Sequence, residues 1–152
     1  MIRLFYSLGS CSLASHIALE EAGAAYEVVR TNVRIGDQLK PEYLAINPKG
    51  RVPALVTDQG VLTETVAILS YIAETHPQAN LLPVDAWARH QALKGPWVLG
   101  ERYSVCDGYL FTIADWLELD GVDPTLFPKV HAHRERVRAR PAVRKALADE
   151  AA

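Results

Sequence analysis

The sequence predicts an α/β half followed by an all-α half, and three observations carry that expectation. Strand-like and helix-like segments alternate before Asn80 in the order β-α-β-α-β-β-α, whereas no convincing strand follows it. Of the 152 residues, 49% are hydrophobic and 22% are charged, the balance of an ordinary globular chain rather than a disordered, collagen-like or disulfide-held one. Such a length suffices for one domain with a proper core, or for two small ones that share an interface.

Ile2 to Tyr6 is a short apolar run stopped by Ser7-Leu8-Gly9-Ser10, the pattern of a buried strand entering a turn. Behind Ser12, the residues Leu13, Ile17, Ala18 and Glu21 follow helical spacing, and Gly23 supplies a stop. Tyr26 to Thr31 is rich in β-formers, so the chain to this point reads as a β-α-β unit with a parallel strand pair in a sheet covered on both faces. A short helix is expected after Pro41, ended by Asn47-Pro48 and Gly50. Val52 to Thr57 and Gly60 to Thr63 are expected to pair as an antiparallel hairpin across Asp58-Gln59-Gly60. Glu64 to His76 sets Val66, Ile68, Leu69, Ile72 and Ala73 on one helical face, closed by Pro77. Further helices are expected from Asp85 to about Leu93, from Ser104 through Trp116 or Leu119, from Phe127 to Arg138 and from Pro141 to Ala148. Ser104 and Asp107 make a capping-box-like start to a helix so apolar that it should be buried.

Charge and cysteine usage exclude several function classes. With 16 Lys and Arg against 18 Asp and Glu, the net charge is −2; the chain lacks the basic field that phosphate backbones select, and no nucleic-acid partner is expected. Cys11 and Cys106 match no zinc spacing and can pair once at most, so neither a metal nor a disulfide framework is expected and a reducing compartment is the default. The opening residues are broken at Ser7, Gly9 and Ser10 without a cleavage-like site, which argues against a secretory signal, and no apolar run approaches a membrane span. The expected location is the cytoplasm, with no membrane partner. Lys129, Arg134, Arg136, Arg138, Arg140, Arg144 and Lys145 crowd the tail; without interleaved aromatics they read as a solvated helix face.

Two stretches carry potential chemistry. Cys11 falls in the loop or first turn at a helix N-terminus, where the helix dipole and unpaired N–H groups favour a thiolate. From spacing alone it is either a reactive thiol or a packed, inert one. Ser12 either donates a hydrogen bond to a nearby sulfur or caps the helix, and Tyr6 ends the strand entering the same loop. The second stretch pairs Val52-Pro53 with Glu64-Thr65. Proline at a strand start, with a cis peptide, is one way to turn the preceding backbone toward a ligand. A carboxylate, a hydroxyl and free N–H groups at the next helix N-terminus can hold a zwitterionic amino-acid end, or Glu64 and Thr65 simply cap the helix.

The segments FYSLGSCSLASHIALEEAG, YLAINPKGRVPALV and VLTETVAILSYIAETHP, followed by PWVLGERYSVCDGYLFTIADW and FPKVHAHRERVRARPAVRKAL, resemble the glutathione transferases, most closely the bacterial beta class with its cysteine in the first loop. The resemblance implies a thioredoxin-like glutathione-binding domain over residues 1–80 and a shortened all-helical domain over 85–152. It implies that Cys11 contacts or forms a mixed disulfide with the glutathione sulfur, with Tyr6 and Ser12 as its neighbours and orienting groups. Val52 then matches the residue whose backbone pairs with the cysteinyl part of the tripeptide, Pro53 the cis-proline after it, and Glu64 with Thr65 the acid and hydroxyl that hold the γ-glutamyl end. For a family lysine near the short helix, Arg34 and Lys40 are both candidates. Ser104 and Asp107 match the family's helix-capping pair, a folding role.

This chain departs from the family between Lys94 and Pro96, where only Gly95 stands in place of the rest of one long helix and the whole of the next. Those helices supply much of the wall for the second substrate, and His90 is too early in its helix to be taken as a replacement. Cys106 is expected in the core, and Trp87, Trp97 and Trp116 in packing. The implied function is a glutathione transferase-like enzyme that uses glutathione as cosubstrate on a small electrophilic or disulfide substrate, in thiol redox chemistry or detoxification. A non-catalytic glutathione-binding or regulatory protein on the same fold is the other reading. Apolar surface exposed near Ile113 and on the Val66 helix is expected to be covered in a homodimer.

Overall fold

A computed structural model describes residues 1–83 and 95–151. The helix expected from Asp85 to Leu93, with Trp87 and His90, lies outside the described residues. The elements run β1 (Ile2–Tyr6), α1 (Ser12–Ala22), β2 (Tyr26–Arg30), α2 (Pro41–Leu44), β3 (Ala54–Thr57), β4 (Gly60–Thr63), α3 (Thr65–Thr75), α4 (Val105–Ala114), α5 (Pro128–Arg138) and α6 (Pro141–Ala151). The strands form a 4-stranded sheet in the order β2-β1-β3-β4. As the sequence predicts, β1 and β2 are parallel, with Ile2 opposite Tyr26, and β3 and β4 form an antiparallel hairpin. The hairpin joins the sheet through antiparallel pairing of β3 with β1, Leu4 opposite Leu55, which makes β1 a central strand and the sheet mixed.

Alternation along β1 divides the packing. Leu4 and Tyr6 enter a core with Ala18 and Leu19 of α1 and Ile68 and Ile72 of α3, while Phe5 faces the other way onto Tyr43 of α2 and Ala54. A second core joins Leu13 and Ile17 of α1 to Phe111 of α4, Val137 of α5 and Val143 and Ala146 of α6. Helix α1 therefore lies between the sheet and the helical half. Gly23, at φ 63°, closes α1 by donating its N–H to Glu20 and sits where a side chain would be strained. Close approach of α4 to α1 depends on Gly108, where an added Cβ would stand 3.2 Å from Ile17 Cγ2.

Several expectations need correction. Val66 is 62% exposed, off the face formed by Ile68, Leu69, Ile72 and Ala73, because α3 begins at Thr65 and its packing stripe follows the i, i+4 positions from Ile68. Strand β3 starts at Ala54, after the Val52-Pro53 cis peptide, since proline has no N–H to give to the ladder. The α4 helix stops at Ala114 and turns follow to Gly121. Cys106 is only partly buried, on the flank of α4. The basic tail is not a uniformly solvated face. Arg134 is 4% exposed and donates to Glu118 and Asp115, Arg140 donates to Glu21 of α1, and Lys145 donates to Glu20. Arg140 also stacks on Tyr103, 3.8 Å from the ring centre. Trp97 packs edge-on against Tyr103 and His133.

The expected cap of α4 is present as a capping box. Asp107 is fully buried and accepts hydrogen bonds from Ser104 N–H (2.8 Å) and the Ser104 hydroxyl (3.0 Å). It also accepts from Val98 N–H at 2.7 Å and pairs with His133 Nε2 at 2.8 Å, so one carboxylate ties α4 to α5 and to the turn before it. Ile113 and Val66 are both exposed, matching the apolar surface expected there. No helix among the described residues is long and apolar enough to cross a membrane.

Candidate functional site

The β1–α1 loop, the turn before β3 and the start of α3 meet at one cleft. Its lining includes Cys11, Asn47, Lys49, Arg51, Val52, Pro53, Glu64 and Thr65. Cys11 is the N-cap of α1, and its Sγ lies 3.7 Å from the Val52 carbonyl oxygen, a contact that spans 41 positions of sequence. That proximity sets the only cysteine of the loop against the backbone of the segment leading into β3. Proline at 53 leaves β3 to begin at Ala54, so the backbone of Val52 is outside the sheet ladder and at the cleft wall.

At the other end of the cleft, Glu64 precedes α3 at φ 71°, ψ 120°, a left-handed backbone that a glutamate rarely adopts and that is commonly retained at functional positions. Its side chain is well exposed, while Thr65 behind it is buried. The Lys49 ammonium donates to Glu64 Oε1 at 2.8 Å and to Thr63 Oγ1 at 3.0 Å. That hydrogen bond, with the Lys49 charge, holds the Glu64 carboxyl below the usual carboxylate range, so Glu64 is ionised throughout the neutral range. A carboxylate, a hydroxyl and the α3 N-terminus thus stand together, an arrangement able to bind a group carrying both an ammonium and a carboxylate.

Tyr6 and Ser12 sit elsewhere. Ser12 is fully buried beneath the loop; its Oγ accepts from Ser7 N–H at 3.1 Å and lies 2.7 Å from Ser10 Oγ, fixing the turn that presents Cys11. Tyr6 is in the core, its ring 5.9 Å from that of His16, and burial pushes its phenol up from the ordinary value. Of the two candidates for the basic contact, Lys40 pairs with Asp37 at 2.6 Å, whereas Arg34 shares a surface depression with Ser7, Leu8 and Gly9 of the Cys11 loop and with Arg30. Sequence reasoning missed Asn47, Lys49 and Arg51. Asn47 is buried, donates to Arg51 O at 2.7 Å and accepts from Lys49 N–H at 3.1 Å, shaping the turn that carries both cations into the cleft. The polar Asn47-Pro48-Lys49-Gly50-Arg51 turn directly before Val52 was the available signal.

A thioredoxin-like sheet with a cysteine at the first helix N-terminus, joined to a helical half, defines the class of fold and site. Family models match both halves: "Glutathione S-transferase, N-terminal domain" over residues 2–74 and "Glutathione S-transferase, C-terminal domain" over residues 80–150. The chain belongs to the glutathione S-transferase family. It is similar to glutathione S-transferase GstA of Escherichia coli O157:H7, 32% identical and covering 98% of each protein. That alignment spans 207 positions, more than this chain's 152 residues, so the relative has internal residues with no counterpart here. Other curated relatives are matched over 53% to 64% of this chain, which spans 36% to 46% of their own length. Among solved structures, a glutathione transferase homologue from Sulfitobacter with bound glutathione has a TM-score of 0.94 at 34% identity, covering 99% of this chain and 98% of that one. A bacterial beta class glutathione S-transferase from Sphingomonas chungbukensis has a TM-score of 0.87 at 31% identity, covering 97% and 98%.

Proposed function

We propose that this protein is an enzyme of glutathione transferase type, which binds glutathione in the Cys11–Glu64 cleft and transfers or exchanges its thiol with a small electrophile or disulfide. The observation that carries this reading is the placement of Cys11 Sγ against Val52 O at one end of a cleft whose other end is formed by Glu64 and Thr65. Glu64 and Thr65 hold the γ-glutamyl end, the Val52 backbone pairs with the cysteinyl unit, and the peptide thiol then lies beside Cys11. Pro53 shapes that wall, while Ser12 and Tyr6 act from behind the loop. Arg34, beside the Cys11 loop, is better placed than Lys40 to meet the glycyl carboxylate. With an electrophile, the glutathione sulfur forms the new S–C bond and the leaving group departs with the bonding pair. With glutathione disulfide, the Cys11 thiolate attacks one sulfur, forms the mixed disulfide and releases the other glutathione as thiolate.

The same reading places the protein in a reducing compartment, the cytoplasm, with a thioredoxin-like domain over 1–80 and a helical domain over 85–152. Exposed Val66 and Ile113 are consistent with coverage in a homodimer. The test is titration calorimetry with reduced glutathione, run with aryl-halide conjugation and disulfide-reduction assays on wild type and Cys11→Ala. Binding with turnover, and loss of disulfide exchange but not of binding in Cys11→Ala, is the expected result. Binding without turnover in the wild type supports the non-catalytic binding protein instead, and absence of binding overturns both.

A further inference from the structure

On the face of α1 away from the cleft, His16 is fully buried and its Nδ1 lies 3.2 Å from Glu150 Oε1 of α6. A carboxylate can only accept, so Nδ1 donates toward Glu150 and Nε2 is the ring nitrogen left to meet a metal. That Nε2 is buried without a hydrogen-bond partner and faces Asp149 Oδ2 at 3.9 Å. Glu20 lies one turn beyond His16 on α1, and ligand atoms of His16, Glu20 and Asp149 all fall within 4.8 Å of one another. A cation position already exists between the two carboxylates, where Lys145 Nζ donates to Glu20 Oε1 and to Asp149 Oδ2 at 3.2 Å.

We propose that His16, Glu20 and Asp149 bind a divalent metal ion of the zinc type, which displaces the Lys145 ammonium. One imidazole nitrogen with two carboxylates suits zinc and its neighbours in the first transition row better than magnesium or calcium, which prefer all-oxygen sets. Glu150 supplies the carboxylate that orients a metal-bound histidine through its other nitrogen, and Tyr26 donates its hydroxyl to Glu20. Lys145 is 59% exposed and can turn into solvent when the ion enters. None of these residues lines the Cys11 cleft, so the metal joins α1 to α6 as a structural clasp independent of the thiol chemistry.

The test is titration of the reduced full-length protein with Zn(II) by calorimetry and with Co(II) by visible absorption, alongside thermal melts. One equivalent should bind, with Co(II) ligand-field bands but no near-ultraviolet thiolate charge transfer, and saturating Zn(II) should raise Tm by several degrees. Asp149→Asn, at a position 41% exposed and therefore tolerant of change, should weaken binding at least tenfold, and Lys145→Met should tighten it. Absence of stoichiometric binding shows that the cluster is not a metal site. That result, a thiolate band, or binding indifferent to Asp149→Asn overturns the proposal.

Discussion

Replacing Asp107 by alanine should remove about 4 kcal/mol of folding stability, because one buried carboxylate satisfies donors from three separate places. The Ser104 hydroxyl can rotate to a new partner, but Ser104 N–H, Val98 N–H and His133 Nε2, at 2.8, 2.7 and 2.8 Å, are fixed in direction. A buried donor left unpaired costs about 1–3 kcal/mol; the Val98 group is only partly buried and belongs at the low end, which gives about 3–7 kcal/mol before relaxation. Set against the roughly 5–15 kcal/mol that holds a typical domain folded, this is a large fraction. Urea unfolding followed by far-ultraviolet circular dichroism reads it directly: with a slope of about 2 kcal/mol/M, the midpoint should fall by about 2 M. Asp107→Asn retains an acceptor oxygen and should fall between the two. A midpoint shift below about 0.5 M for the alanine variant would refute the view that this carboxylate fastens α4, α5 and the preceding turn.

Three further outcomes are expected. Glu64→Gln should raise KM for glutathione about tenfold to a hundredfold with little change in the melting curve, since it removes a charge-assisted contact at an exposed position; unchanged KM would exclude Glu64 from the binding end. Burial, as the largest cause, pushes the Cys106 thiol up, so its thiolate fraction at pH 7.5 is reduced and iodoacetamide should modify it more slowly than a free model thiol; peptide mapping by mass spectrometry would expose the opposite result. Hydrogen bonding to Arg134 lowers the Glu118 carboxyl, so its stabilising contribution is complete above the ordinary carboxylate range and is lost as pH falls through the depressed value. Glu118→Gln should therefore flatten the loss of stability on the acid side, measured by urea midpoints between about pH 5 and pH 3, and an unaltered slope would count against that pairing.

Local order was legible where it depends on adjacent residues. The β1–α1–β2 unit, the β3–β4 hairpin and the Ser104–Asp107 cap follow from apolar period, turn residues and capping chemistry within short windows. What could not be read depends on contacts distant in sequence. The pairing of β1 with β3 is set by the packing of the hairpin against the sheet, and no local signal distinguishes it from pairing elsewhere. Val66 carries the same apolar character as Ile68 but has nothing packed over it, which only tertiary structure decides. The tail's arginines and Lys145 looked solvated because their partners, Glu21, Asp115 and Glu118 for the arginines and Glu20 for the lysine, lie up to 125 positions away. At the cleft, Cys11, Val52, Pro53, Glu64 and Thr65 converge as their motif order implied, whereas Lys49 went unnoticed because an exposed lysine in a turn is ordinary until its ammonium is found on Glu64.

The position of α1 between the sheet and the helical half has a consequence for the order in which the protein is made. Ile17 and His16 leave the ribosome more than a hundred residues ahead of the groups that enclose them, Val143, Ala146 and Glu150. Until then the helix behind the cysteine loop presents an apolar flank to whatever surrounds the nascent chain, and its final docking must wait for contacts of the longest range. The loop that presents the thiol is translated more than a hundred residues before its rigid backing, so a nascent fragment can hold the complete set of cleft residues without the support that keeps them in place.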